Sequence, residues 1–131
     1  MKKQRGFSMG FKRGVIIAAE KDNAVHIAKL MEEYDIGAVV ILRGEKLVGL
    51  VSERDLARRV IAKGLSPQKV HAKDFMTTKV VTAEFKDGIR KIYQTLCNVK
   101  FRHLPIMDKG KLVGIASQRD VLYSLSPKEM F

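Results

Sequence analysis

Lys46-Leu-Val-Gly-Leu-Val-Ser-Glu-Arg-Asp-Leu56 returns 65 residues later as Lys111-Leu-Val-Gly-Ile-Ala-Ser-Gln-Arg-Asp-Val121, with seven of eleven positions identical. The offset carries upstream without a gap. Val15, Ala18, Lys21, Asp22, Ile27 and Ile41 match Val80, Ala83, Lys86, Asp87, Ile92 and Ile106. Across residues 15–57 that makes 13 identities in 43 positions, where ordinary composition gives about 3 by chance. The chain therefore holds two copies of one unit, and the local structure of one is expected in the other.

Both copies give the same pattern of elements. Val15–Ala18 is short, apolar and β-branched, which predicts a strand. Asp22 is placed to cap a helix in which Ala24, Ile27, Ala28, Leu30, Met31 and Tyr34 recur at helical spacing. Gly37–Leu42 is a continuous apolar run, as expected of a strand buried on both faces. Arg43-Gly-Glu-Lys46 predicts a hairpin turn and Leu47–Val51 the returning strand. Ser52 opens a second helix that Gly64 ends. The second copy predicts strands at Val80–Ala83, His103–Met107 and Leu112–Ala116. A helix is expected from about Asp87 to Asn98, a turn at Asp108-Lys-Gly110 and another helix from Ser117. Each unit thus has the order β-α-β-β-α. The expected divisions are a basic arm at 1–14, a first repeat at 15–64, a linker at 65–73, a second repeat at 74–126 and a tail at 127–131.

A unit of roughly 60 residues buries only about 60% of its unfolded surface and is marginal alone. Two such units in a chain of 131 residues, 46% of them hydrophobic, are expected to stack their sheets around an approximate two-fold axis. The predicted class is α+β. The longest apolar run, Ile36 to Leu42, has seven residues, too few to span a bilayer. No apolar signal core follows the charged N-terminus, and Cys97 has no partner for an internal disulfide. A cytoplasmic protein is expected.

The net charge is +11 and unevenly spread. Residues 1–14 carry five basic and no acidic residues, and residues 73–131 carry eleven basic and six acidic. Between them, nine basic nearly balance eight acidic. Such a chain favours anionic partners: nucleotides, nucleic acid or acidic protein surfaces.

The repeated core, Gly49-Leu-Val-Ser52-Glu-Arg54-Asp55 and Gly114-Ile-Ala-Ser117-Gln-Arg119-Asp120, lies where a strand feeds a helix. Helix N-termini offer unbonded N–H groups and a positive dipole end, which attract phosphate. A serine hydroxyl can add a donor there, and an arginine two residues on a charged fork. A carboxylate one residue further can accept both ribose hydroxyls, and the glycine leaves room for a ligand to approach the strand. An adenosine phosphate suits this set. Ser-x-x-Asp is equally a capping box, in which Ser52 and Asp55 bond the helix's own backbone.

The signature Gly-hydrophobic-x-Ser-x-x-Asp, present twice at one offset, resembles that of a CBS-domain pair, the tandem Bateman module. The strands Asp35-Ile-Gly-Ala-Val-Val-Ile and Phe101-Arg-His-Leu-Pro-Ile-Met, and Asp74-Phe-Met-Thr77 ahead of the second copy, extend the likeness over residues 15–125. The resemblance implies adenine nucleotides such as AMP, ADP or ATP, or related adenosyl compounds, bound in clefts between the repeats. It implies no required cofactor and no catalysis. It further implies homodimers that sense ligand or energy state and regulate a partner protein. The second copy carries the fuller set: Thr82 on the first strand, His103, the Leu104-Pro105 step, Ser117, Arg119 and Asp120, with Arg102 flanking. The first copy keeps Ser52, Arg54 and Asp55, with Gly37 and Ala38 on its strand. It has Ile17 in place of Thr82 and Val40 in place of Pro105. One strong site using Asp120 and a weaker one using Asp55 are expected.

His26, His71, His103 and Cys97 lack metal-ligand spacing, and no metal is expected. Cys97 reads as a small buried hydrophobe, His26 as a surface residue, and Met31, Met76 and Met107 as core. A rival function is nucleic-acid binding. It would use the basic surface and the arm, where Lys2, Lys3, Arg5, Lys12 and Arg13 interleave with Phe7 and Phe11.

Overall fold

A computed structural model describes residues 2–4, 15–98 and 102–118. The chain divides into two compact units, the first built mainly of Ile16–Val80 and the second continuing from Val81.

In the first unit, β1 (Lys2–Gln4), β2 (Val15–Ala19), β3 (Ala38–Arg43) and β4 (Lys46–Ser52) form a sheet in that order. β2 runs parallel to β3 through Ile17↔Val40, Ala18↔Ile41 and Ala19↔Leu42, and β4 returns antiparallel. Helix α1 (Ala24–Tyr34) crosses between β2 and β3. Its Ala24, Ile27, Leu30 and Met31 join Ile16, Ala18, Val39, Ile41 and Val51 in one core. Five consecutive residues of β3 are buried, Val39 and Ile41 in that core and Val40 on the opposite face. That accounts for the unbroken apolar run in the sequence.

Asn23, not Asp22, caps α1: its Oδ1 accepts the His26 N–H at 2.8 Å. Asp22 is occupied one step earlier, where its carboxylate accepts the Ala19 N–H at 2.7 Å and closes the turn after β2. The helix ends at Asp35, which turns left-handed at φ 52°.

After β4, helix α2 (Glu53–Asp55) widens into a π-helix over Leu56–Ile61. The sequence predicted one regular helix to Gly64. Instead the Ala62 and Leu65 N–H groups reach back five residues, to the carbonyls of Ala57 and Val60. Val60, within this stretch, lies fully in the core. The 65–73 stretch read as a linker is bonded to α1: the Pro67 carbonyl accepts the Val25 N–H, and the Val70 carbonyl that of Ala24. Helix α3 (Ala72–Phe75) follows, with Ala72 and Phe75 buried in the first core.

The second unit repeats the plan. β5 (Ala83–Glu84), a 3₁₀ turn (Phe85–Asp87), α4 (Gly88–Asn98), β6 (His103–Asp108) and β7 (Lys111–Ser117) give a sheet in the order β5-β6-β7. The register preserves the 65-residue offset. Ile41↔Gly49 and Leu42↔Leu47 become Ile106↔Gly114 and Met107↔Leu112, with the same bulge between them. β5 is shorter than predicted. Val80 is half-buried, Val81 and Thr82 are exposed, and pairing with β6 begins only at Ala83↔Ile106. Pro105 lies where Thr82 would pair and has no N–H to give, so the ladder stops there.

Ile92 and Leu96 of α4 pack with Leu104, Ile106 and Ala116. Cys97, predicted to be buried, is exposed. It follows Leu96 by 100° around the helix, which turns it away from the core. A hydrogen bond with the Cys97 thiol raises the Tyr93 phenol above its usual pKa.

Candidate functional site

At the end of β4 the backbone of Ser52 is extended, and Glu53 begins the helix. The Ser52 Oγ accepts the Asp55 N–H at 3.1 Å, and Asp55 Oδ2 accepts the Ser52 N–H at 2.9 Å. This reciprocal pair satisfies two donors that the helix start leaves open.

Asp55 does more than close the box. The Thr77 hydroxyl donates to both its carboxylate oxygens at 3.3 and 3.4 Å. Arg59 Nε lies 3.7 Å from Oδ1, one helical turn on. Arg59 Nη1 also donates to the carbonyls of Phe75 and Met76 at 3.2 Å each. The Thr77 N–H and carbonyl pair with Leu50 at 2.9 and 3.0 Å. The segment 75–77 is thus strapped across β4 and onto the corner.

Gly49 has a different use from the one predicted. A Cβ there would overlap the Met76 side chain, 2.8 Å from Cγ and closer to Sδ. The room above β4 at Gly49 is filled by Met76, not left for a ligand. Of the other first-copy candidates, Ile17 is half-buried and pairs with Val40, and Ala38 is buried and pairs with Ser52. The Gly37 carbonyl accepts the Glu53 N–H at 3.0 Å, and Arg54 is exposed.

The second corner is built on the same lines. Ser117 ends β7 opposite His103. The Gln118 N–H donates to the Arg102 carbonyl at 3.1 Å, the counterpart of the Glu53–Gly37 bond. Gln118 Nε2 reaches the Leu96 carbonyl at 3.2 Å and ties the corner to α4. Leu104 is wholly buried in the core, Pro105 is buried, and His103 and Ser117 are half-buried. Thr82 is exposed just before β5. Arg119 and Asp120, the helix expected from Ser117 and residues 5–14 of the basic arm lie outside the described residues.

Sequence reasoning missed Thr77 and Arg59. Thr77 stands in a motif that carries no role of its own, and Arg59 is marked by no motif. Both act through contacts 16 to 22 residues apart, which no local pattern announces. Among the described residues, no group of three His, Cys, Asp or Glu is placed to hold a metal ion. His26 lies 3.9 Å from Asp22 at the start of α1. No helix of the described residues is long and apolar enough to cross a membrane.

Two units in one register, the first β-α-β-β-α and the second β-α-β-β within the described residues, each with a strand that ends at the Ser of a Ser-x-x-Asp sequence, define a tandem α+β module. The chain belongs to the CBS domain family, whose model matches residues 11–62 and 72–127. It is 36% identical over 113 residues to an uncharacterised protein of Methanopyrus kandleri. That alignment covers 85% of this chain but only 58% of the relative, which is the longer protein. A protein with CBS domains from Burkholderia ambifaria MC40-6 has the same fold at a TM-score of 0.79 and 32% identity, with 84% of this chain and 81% of that one covered. A CBS domain protein of Pyrobaculum aerophilum, complexed with AMP, matches at a TM-score of 0.81 and 22% identity over 92% of this chain and 91% of its own.

Proposed function

We propose that this chain is a regulatory module that senses adenine nucleotides through its strand-to-helix corners and passes their occupancy to a partner protein. The second corner is the principal site. Asp120 holds the ribose hydroxyls, Ser117 and Arg119 the phosphate, and Thr82, His103 and the Leu104-Pro105 step the base side of the ligand. The first corner, with Ser52, Arg54 and Asp55, is the weaker site.

The observation that carries this reading is that the second copy has polar residues where the first, in the same register, has apolar ones. The Asp55 carboxylate is already engaged by Ser52, Thr77 and Arg59, and the first copy has the apolar Ile17 at the position of Thr82. The second copy has the exposed Thr82 and the half-buried His103 where the first has Ile17 and Ala38. The net charge of +11 favours an anionic ligand. Ile61 and Leu65, left 62% and 44% exposed beside the corner helix, support a homodimer. Signalling follows if the ligand binds one arrangement of the module better than another.

Thermal-shift screening of mono-, di- and triphosphates, followed by calorimetry, tests the proposal, because a ligand specific for the folded form raises its melting temperature. An adenine nucleotide that binds wild type and Asp55→Ala with like affinity, but Asp120→Ala only at the weaker first site, supports it. Two equal sites, or loss of all binding in Asp55→Ala alone, overturns it. Nucleic-acid binding would instead weaken steeply with salt and survive Asp120→Ala.

A further inference from the structure

We infer that Thr77 is the specificity-determining residue that keeps the first corner a weak nucleotide site, because its hydroxyl occupies the carboxylate that a ribose would have to use. The inference rests on the reading of these corners as nucleotide sites.

A ribose-binding aspartate must offer its two oxygens to two hydroxyls. At Asp55 the Thr77 hydroxyl already spans both, at 3.3 and 3.4 Å, and Oδ2 also accepts the Ser52 N–H. Thr77 cannot drift away, because its N–H and carbonyl are both bonded to Leu50. Arg59 reinforces the arrangement from the other side. Its guanidinium holds the Phe75 and Met76 carbonyls and lies beside Asp55 Oδ1. The strap is therefore preorganised, and a ribose must displace an intramolecular hydroxyl that pays no translational entropy to be there.

The two Thr77 contacts are long for hydroxyl-to-carboxylate bonds, so the bias they impose is moderate. Loss of one hydrogen bond this long, worth no more than an ordinary neutral one, corresponds to a gain of about five- to tenfold in ligand affinity at this corner. Thr77 lies shortly before Val81, from which the second unit continues. A ligand that takes Asp55 would thus release one tie of the strap to the first unit.

Calorimetric titration with AMP on an Asp120→Ala background isolates the first corner. Adding Thr77→Val, which keeps the β-branched shape and removes the hydroxyl, is expected to tighten AMP binding there about five- to tenfold. Thr77→Ser, which restores the hydroxyl, is expected to return the affinity to that of the background. Thr77→Ala provides a second hydroxyl-free variant should valine disturb the fold. Unchanged first-corner affinity in both hydroxyl-free variants, with Asp120-dependent binding intact in an otherwise wild-type chain, overturns the role of Thr77 alone. An absence of AMP binding in the wild-type chain overturns the nucleotide reading and the inference with it.

Discussion

Replacing Gly49 with alanine puts a methyl group where the Met76 side chain already lies. The new Cβ would fall 2.8 Å from Met76 Cγ and 3.2 Å from Cε, whereas carbon atoms pack at about 3.5–4.0 Å. Met76 has little room to yield. It is 8% exposed, its carbonyl is held by Arg59, and Thr77 next to it is bonded twice to Leu50. Cγ lies near the root of the side chain, so a rotation at its tip does not relieve the overlap. Overpacking of this kind costs about 1–3 kcal/mol. Against it stands the entropy that alanine removes from the unfolded chain, about 0.4–1 kcal/mol. Gly49 is not among the glycines at positive φ, so alanine adds no backbone strain. The net expectation is a destabilisation of about 1–2 kcal/mol, read by urea unfolding as a lower midpoint at unchanged slope. The double variant with Met76→Ala removes the clash, so its loss should fall short of the sum of the two single losses by about 1–2 kcal/mol. A Gly49→Ala protein as stable as wild type, or strict additivity with Met76→Ala, refutes the assignment of Gly49 to packing.

Two further outcomes follow from the same geometry. Phe75 is 3% exposed in the first core although it falls within the stretch 74–126 expected to form the second repeat. Phe75→Ala should cost about 3–5 kcal/mol and speed amide hydrogen exchange in α1 and β3, and a loss confined to the second unit would contradict this. Glu20 accepts Arg43 Nε and Nη2 at 2.7 and 3.0 Å, and that bond holds its carboxyl below the ordinary 4.5, against an opposing desolvation and with lesser help from the charges of Arg43 and Lys73. A depressed acid stabilises the fold above its unfolded pKa, and the contribution is lost as pH falls through the folded value. NMR titration should place Glu20 below 4.5 and return it toward that value in Arg43→Gln. A wild-type midpoint at or above it would remove the ion pair from the account.

Much of the architecture was legible because it is periodic and repeated. The offset that aligned Lys46–Leu56 with Lys111–Val121 also fixed the register of both hairpins, down to a shared bulge. What escaped was decided by competition between neighbours or by contacts distant in sequence. Asp22 and Asn23 are both good caps, and the turn after β2 took the first of them. Val80 to Thr82 have strand-forming side chains, but Pro105 across from Thr82 cannot complete the ladder. The helix after Ser52 widens into a π-helix with Val60 in the core, which composition does not reveal. At the candidate site, the capping box of Ser52 and Asp55 was one of two readings open from the spacing. Its extension to Thr77 and Arg59 depends on a strap 22 residues downstream and was invisible locally.

The most direct test is a crystal structure of the chain grown with AMP. The account predicts the nucleotide at the second corner, with its ribose on the Asp120 carboxylate and its phosphate at Ser117. Clear density for AMP elsewhere, with Ser117 and Asp120 bonded only to their own helix, would contradict it.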